Sequence, residues 1–175
     1  MFRFSYSKKP LQLHRQRRHS GGSKIMFWGL VMPNGLVYLK NIKGIINSEK
    51  YIDILRNFGI PLMKLNMKPD FIFVQDNARP HVSRCTQEFL QTNRINALPW
   101  PAKSPDLNIM EVVWKMISDI VYRNNQPNNA MDLEKKVMAA VSEINNTKRE
   151  TITELFGNQI NRLTTVLVKQ GNLCN

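Results

Sequence analysis

The segment FIFVQDNARPHVS, residues 71–83, constrains the fold more than any other part of this sequence. Four apolar residues at 71–74 predict a buried strand, and the Asn and Pro that follow predict a turn directly after it. Asp76 therefore lies where a buried strand ends. A carboxylate in that place either caps a turn or takes part in chemistry, and the strand pattern alone leaves both interpretations open.

Strand and turn signals recur on both sides of this segment. Residues 24–31 and 36–40 predict two strands, and the Pro-Asn-Gly sequence at 33–35 predicts the turn between them. The strand at 71–75 is followed later by a short one at 95–99. The strands therefore lie in the first part of the chain.

Helical patterns fill most of the remaining chain. One helix is predicted to begin with Ser48 as its N-cap and to be ended or interrupted at Gly59 and Pro61. A long helix is predicted over 105–123, with Ser104 as its N-cap. Other amphipathic segments lie at 86–93 and, twice, after residue 130. Because helices increasingly dominate, we predict an α/β fold with a helical C-terminal layer.

Composition divides the chain into four parts. Residues 1–23 form a basic arm, 24–123 an α/β domain, 124–130 a polar linker containing NNQPNN, and 131–175 a helical region. With 175 residues, 42% of them hydrophobic and 22% charged, the chain is typical of a globular protein of one domain that is long enough to bury a core.

The charge of the chain indicates its partner. The net charge is +12, and no Asp or Glu precedes Glu49, whereas nine Lys or Arg do. Such an excess favours an acidic polymer, nucleic acid before membrane. A solvated loop or a nuclear-targeting patch is the alternative for the arm, and an ordinary exposed lysine is the alternative for Lys103. The residues that we single out for DNA contact are Arg15, Arg17, Arg18, Lys24 and Lys103.

No segment predicts secretion or membrane insertion. The apolar run that contains residues 27–32 is far shorter than the roughly 20 residues that a membrane helix needs. The N-terminus lacks the central apolar block of a signal peptide. Cys85 and Cys174 match neither a CxxC motif nor a disulfide framework. We therefore expect an intracellular protein with reduced thiols and no membrane partner.

The long helix supplies a second carboxylate near Asp76. Leu107, Met110 and Trp114 begin its apolar stripe, and Glu111 lies at the edge of this stripe. Because open α/β sheets bind ligands at the carboxyl ends of their strands, we expect Asp76 and Glu111 to face one cleft. Two such carboxylates repel each other unless a cation lies between them, and oxygen ligands suit Mg²⁺ or Mn²⁺. With a basic surface, this favours metal-dependent phosphoryl transfer on nucleic acid.

Both acids lie in motifs whose order and spacing resemble a known family. QDNARPHVS followed by LPWPAKSPDLNIMEVVW resembles the catalytic domain of mariner-superfamily transposases, which are DDE-type DNA recombinases. GGSKIMFWG and NSEKYIDIL are similar to further motifs of the family, so the resemblance covers about residues 6–123. In that family the second acid lies in a Gln-Asp-Asn motif and the third follows Ser-Pro-Asp-Leu-Asn. The matching residues are Asp76 and Glu111, with 34 residues between them.

The resemblance implies a fold, an activity and a cofactor. The fold is a ribonuclease-H-like mixed sheet with flanking helices, here followed by C-terminal helices. The activity is metal-dependent DNA strand cleavage and transfer in cut-and-paste transposition. Asp76 and Glu111 are the implied ligands of Mg²⁺ or Mn²⁺, and DNA, as transposon ends, is the implied partner. A homodimeric assembly and a nuclear location are further hypotheses.

One acid of the family has no counterpart in these 175 residues. The family's first Asp lies on the central first strand, upstream of the segment that resembles GGSKIMFWG, whereas the first acid here is Glu49. We therefore expect a sheet without its central first strand, weak metal binding and no catalysis by this chain alone. The alternative function is that of a non-catalytic, nucleic-acid-binding remnant of a transposase.

Several residues near the two acids are candidates for supporting roles. Asn77 either orients the Asp76 carboxylate or only forms the turn. His81 either contacts phosphate or positions water, or it hydrogen-bonds the backbone where a helix begins. The tryptophans are predicted to pack in the core and not to stack on bases; they are Trp28, Trp100 and Trp114.

Overall fold

The computed structural model describes the backbone of residues 25–67, 71–101 and 107–168, and the side chains of those residues up to 158. Within these ranges the chain is mixed α/β and rich in helix. Its strands are β1 (Met26–Val31), β2 (Val37–Ile42), β3 (Ile72–Phe73) and β4 (Asn96–Ala97). Its α-helices are α1 (Ser48–Ile54), α2 (Ile60–Asn66), α3 (Arg79–Val82), α4 (Arg84–Thr92), α5 (Ile109–Val121), α6 (Ala130–Thr147) and α7 (Arg149–Val168). A π-helical turn, Leu55–Gly59, connects α1 and α2.

The strands β1 and β2 form an antiparallel hairpin. Met26 lies opposite Ile42, and Val31 lies opposite Val37. The turn places Gly35 at a φ of +80°, a conformation that favours glycine, which is why the sequence Pro-Asn-Gly predicts it correctly. The two predicted strands are confirmed, and β2 extends two residues beyond its predicted end.

The hairpin lies between two layers of helices because its side chains alternate between its faces. Phe27, Val37 and Leu39 face one core, which α5, α6 and α7 complete. Trp28 and Leu30 face the other core, which α1, the π-helical turn, α2, β3 and α4 complete. The two cores therefore share a single sheet, and α5 packs directly on it.

Gly59 and Pro61 widen the helix that contains them without ending it. Pro61 has no N–H, and its ring crowds the carbonyl of the preceding turn, so the regular helical pattern fails there. The N–H of Ile60 bonds instead to the carbonyl of Leu55, five residues earlier, as in a π-helix. Gly59 thereby lies against the indole of Trp28, which a Cβ at this position would approach to 3.2 Å.

One predicted N-cap is wrong, and the long helix begins later than predicted. The cap of α1 is Asn47, whose side chain accepts from the N–H of Lys50 at 2.9 Å; Ser48 is already helical. The cap of α5 is Asn108, which accepts from the N–H of Met110 at 3.0 Å, so α5 begins four residues after the predicted start at 105. In both cases the Asn has the extended backbone that a cap requires. The predicted cap Ser104 lies outside the described residues.

The strands β3 and β4 form a second, parallel pair that is shorter than predicted. Ile72 pairs with Asn96 and Phe73 with Ala97, and the N–H of Leu98 then donates to the carbonyl of Phe73 at 2.9 Å. After Phe73 the chain leaves the ladder and enters the loop that contains Asp76. The missing central first strand stays a prediction, because residues 1–24 lie outside the description.

The helix α6 bonds directly to the hairpin. The side chain of Asn145 accepts from the N–H of Val37 at 2.8 Å and donates to the carbonyl of the same residue at 2.9 Å. Asn129 caps this helix, whose first residue is Ala130, at the end of the predicted polar linker. Across the described residues, no helix has both the length and the apolar character needed to cross a membrane.

Candidate active site

The loop after β3 contains Asp76 and is fixed to the loop after β4. Because β3 and β4 are parallel, both loops leave the same edge of the small sheet. The side-chain amide of Asn77 donates to the carbonyl of Trp100 at 2.8 Å, which joins the two loops. Asn77 therefore stabilises the loop that contains Asp76, and its amide has no hydrogen bond to the Asp76 carboxylate.

One carboxylate oxygen of Asp76 accepts two hydrogen bonds. The backbone N–H of Ala78 donates to Oδ1 at 3.0 Å, and Nδ1 of His81 lies 2.6 Å from the same oxygen. The Asp76 side chain is 32% exposed, so solvent still reaches the carboxylate. Burial acts to raise the pKa of Asp76, but the hydrogen bonds from His81 and Ala78 outweigh it and keep this pKa below its usual value.

His81 is fully buried beneath Asp76. Its Nδ1 lies near two acceptors, Oδ1 and, at 3.1 Å, the backbone carbonyl oxygen of Asp76, so this nitrogen carries the proton. Burial lowers the pKa of His81, and the contact with Asp76 opposes this only in part. The ring is therefore neutral at pH 7 and donates a hydrogen bond to the carboxylate. Of the two roles predicted for His81, the structure shows the hydrogen bond to the backbone, here to the carbonyl of Asp76. The same nitrogen also contacts the Asp76 carboxylate.

Glu111 lies in the first turn of α5, and its carboxyl senses the charge of Asp76. Partial loss of solvent raises the pKa of Glu111, and the negative charge of Asp76 raises it further. The structure thus places the two acids predicted from the sequence, which come from two separate elements, close enough for the charge of Asp76 to act on Glu111. Over the described ranges, no group of three or more His, Cys, Asp or Glu side chains is arranged to bind a metal.

Replacing Asp76 by Asn should lower the pKa of Glu111 towards its usual value. The substitution keeps the size of the side chain and removes the charge that disfavours ionisation of Glu111. The carboxyl carbon of Glu111, assigned through Glu111→Gln, is followed by NMR over a pH titration. Asp119→Asn, which removes an exposed charge further along α5, should leave the titration of Glu111 unchanged. An unaltered titration in Asp76→Asn would contradict the proximity of the two acids.

Two buried polar residues beneath the site were not predicted from the sequence. In the sequence, Tyr51 lies on the apolar face of the helix predicted to begin at Ser48, and Gln75 ends the strand predicted at 71–75. The Tyr51 hydroxyl donates to Oε1 of Gln75 at 2.6 Å, and both side chains are buried. The sequence feature that could have predicted this contact is a Gln directly after an apolar strand, because a buried side-chain amide requires hydrogen-bond partners.

The residues predicted to contact DNA are not part of this geometry. They lie outside the described residues and are Arg15, Arg17, Arg18, Lys24 and Lys103. The predicted core tryptophans are buried, with exposed fractions of 2% for Trp28, 9% for Trp100 and 7% for Trp114.

Comparison with protein families shows the family of this chain. A family model of the DDE superfamily endonucleases matches residues 3–134. The chain belongs to the DDE superfamily of endonucleases. This DDE-superfamily chain is 30% identical over 169 residues to the transposable element Tc3 transposase of Caenorhabditis elegans, a match that covers 96% of this chain and 50% of that protein. It is 37% identical over 98 residues to the Tcb1 transposase of Caenorhabditis briggsae, which covers 56% of this chain and 36% of that protein.

Solved transposase structures share the fold of this DDE-superfamily chain. The Mos1 mariner paired-end complex with Mn matches with a TM-score of 0.72 at 19% identity, over 97% of this chain and 52% of that one. The Mos1 catalytic domain with raltegravir and Mg matches with a TM-score of 0.62 at 18% identity, over 87% and 78%. The predicted membership of the mariner-like DDE group is confirmed. The chain spans half or less of the length of the Tc3 and Tcb1 transposases.

Proposed function

We propose that Asp76 and Glu111 are two acidic ligands of a DDE-type transposase site that cleaves and transfers DNA strands. The observation that carries the proposal is that these two carboxyl groups, from the loop after β3 and from the first turn of α5, lie close enough for the charge of Asp76 to raise the pKa of Glu111. Both acids also occupy the positions that the family motifs assign to catalytic acids.

The residues present fit a hard divalent cation. Asp76 is ionised at neutral pH, and its negative charge hinders ionisation of Glu111, so a cation between them would relieve their repulsion. Carboxylate oxygens are the donors that Mg²⁺ and Mn²⁺ prefer. When bound, such an ion supplies an activated nucleophile and stabilises the charge on the departing oxygen of a phosphodiester. Asp76 and Glu111 would hold it.

The surrounding side chains of this chain keep the site in shape. His81 donates to Asp76 and limits rotation of its carboxylate. Asn77 ties the loop after β3 to Trp100, so the loop cannot move away from β4 independently. Packing of α5 on β1 fixes the distance of Glu111 from the sheet. Preorganised ligands of this kind lower the cost of ordering the site when the cation binds.

DNA is the proposed substrate. The relatives are transposases, and the matching Mos1 structures include a paired-end complex and a strand transfer complex. The basic residues Arg15, Arg17, Arg18, Lys24 and Lys103 are proposed to contact DNA phosphates through charge. A nuclear location and a homodimer belong to the same proposal.

Mn²⁺ binding tests the proposed site. Because two carboxylates attract one cation only weakly without further ligands, we expect a measurable but weak affinity. Asp76→Ala and Glu111→Ala should each weaken Mn²⁺ binding at least about tenfold, since each removes half of the charged ligands. Electron paramagnetic resonance measures the free Mn²⁺ during a titration.

Asp119→Ala is the matched control for this titration. It removes an exposed acid of the same helix, α5, and should leave the Mn²⁺ affinity within twofold of the unaltered chain. Equal affinities in Asp76→Ala and in the unaltered chain would contradict the metal site and favour the non-catalytic, nucleic-acid-binding alternative.

A further inference from the structure

The two carboxylate oxygens of Asp76 have different surroundings. Oδ1 accepts from the backbone N–H of Ala78 and from Nδ1 of His81. The described part of the chain contributes no hydrogen bond to Oδ2. A cation can therefore bind through Oδ2 without displacing an existing hydrogen bond, whereas binding through Oδ1 would compete with two donors.

His81, whose Nδ1 donates to Oδ1 of Asp76, also accepts hydrogen bonds through its backbone carbonyl. Its backbone carbonyl accepts from Nε2 of Gln75 at 3.2 Å and from Nε2 of Gln87 at 3.3 Å. Its side chain has no exposed surface. The position of this residue is thus set by contacts on the side away from the carboxylate as well as by Asp76.

Tyr51 of α1 contacts both Gln75 and His81. Its hydroxyl donates to Oε1 of Gln75 at 2.6 Å, which orients the Gln75 amide so that its Nε2 points to His81. Its ring lies against the imidazole of His81, with centroids 4.2 Å apart and planes inclined by 33°. With exposed fractions of 1% for Tyr51 and 8% for Gln75, water does not compete for these bonds.

We propose that Tyr51 and Gln75 are positioning residues, which hold His81 so that Asp76 offers its Oδ2 to the cation. This inference rests on the proposed function of Asp76 as a metal ligand. The buried hydrogen bonds from Tyr51 to Gln75 and from Gln75 to the His81 carbonyl favour one geometry, because breaking either one leaves a polar group unpaired in a low-dielectric interior. Partners one step beyond a metal ligand influence metal affinity through its orientation. The helix α1, which contributes no acid to the site, thereby acts on it through Tyr51.

A proton resonance of the metal-free protein tests the positioning directly. The Nδ1 proton of His81 lies in a short hydrogen bond to a carboxylate and should give a far-downfield signal, assigned by its loss in His81→Gln. Tyr51→Phe keeps the ring contact and removes only the hydroxyl, and it should shift or broaden this signal. Tyr38→Phe removes a hydroxyl from β2, outside the network, and should leave the signal unchanged. Gln75→Met removes the acceptor of the same Tyr51–Gln75 hydrogen bond and replaces Tyr51→Phe in this test if Tyr51→Phe does not fold.

Mn²⁺ affinity then separates positioning from simple packing. Tyr51→Phe should weaken Mn²⁺ binding by about three- to tenfold, at or below the lower end of outer-shell effects. In a His81→Ala background the same substitution should have almost no further effect, because its influence passes through His81. The free energy of unfolding, measured in urea, confirms that each variant is folded during the titration.

Each result decides the inference. A Tyr51→Phe protein that is less stable but keeps the unaltered proton signal and Mn²⁺ affinity would show that Tyr51 only packs. Additive effects of Tyr51→Phe and His81→Ala on affinity would equally overturn the inference. Failure of the proposed metal site gives a different result, because Asp76→Ala would then leave Mn²⁺ binding unchanged. The His81 proton signal, compared between the unaltered chain and Tyr51→Phe, would still report on positioning.

Discussion

Replacing Gly35 by Ala is expected to destabilise the fold by about 2–5 kcal/mol. A φ of +80° costs an L-residue about 1–2 kcal/mol. The new Cβ would also lie 2.2 Å from the carbonyl oxygen of Arg149 and 2.7 Å from its Cα. These are backbone atoms at the start of α7, which no side-chain rotation can move, and such overpacking costs about 1–3 kcal/mol more. Urea unfolding followed by circular dichroism measures the loss.

Two other glycines separate these contributions. Gly44 has a φ of +75°, but the new Cβ would lie 3.8 Å from Nζ of Lys50, an ordinary van der Waals distance, so Gly44→Ala should show only the backbone cost. Gly157 lies in α7 with nothing within 4 Å, so Gly157→Ala should stabilise the helix by about 0.5–1 kcal/mol. Equal losses for Gly35→Ala and Gly44→Ala would contradict the close contact between the hairpin turn and the start of α7.

Replacing Gly29 by Val should destabilise the fold by about 1–3 kcal/mol and also weaken Mn²⁺ binding. A Cβ at Gly29 would lie 2.6 Å from Cε of Met110 and 2.9 Å from Cζ2 of Trp114. The Met110 methyl can rotate away, but the buried indole is rigid, so α5 must move off β1. Glu111 follows Met110 directly and would move with the helix. Urea unfolding and the Mn²⁺ titration measure the two effects.

Gly59→Ala is the control for this substitution. It crowds Trp28 on the opposite face of the hairpin, where the new Cβ would lie 3.2 Å from the indole, and should leave Mn²⁺ affinity unchanged. Unaltered stability and Mn²⁺ affinity in Gly29→Val would show that the packing of α5 on β1 at Gly29 does not fix the position of Glu111.

The sequence predicted where helices occur better than it predicted where they begin. Asn47 and Ser48 are both good N-caps, and so are Ser104 and Asn108, so local preference alone does not choose between them. At the second site, tertiary packing contributes to the choice. Leu107 is buried at 7% exposure in the described part of the chain, and Asn108, the next residue, is the cap. A sequence window contains no information on that packing.

The two acids could be predicted, but the residues beneath them could not. Asp76 and Glu111 lie in motifs whose spacing is specific, and in the structure the charge of Asp76 acts on Glu111. Tyr51 lies on the apolar face of α1, where its ring fits the hydrophobic periodicity. That periodicity therefore gives no sign that its hydroxyl makes a buried hydrogen bond. Its partner Gln75 is 24 positions away in sequence, and only the fold shows that the two side chains meet.

The bond between Asn145 and Val37 has a consequence for self-association. In an antiparallel hairpin, the N–H and C=O groups of alternate residues on the outer strand point away from their partner strand and can pair with a strand from another molecule. At Val37 both groups are already paired with one side chain of α6. A foreign strand would have to displace Asn145 before it could extend the sheet there. A single amide thus protects this end of the sheet edge from the intermolecular pairing that leads to aggregation.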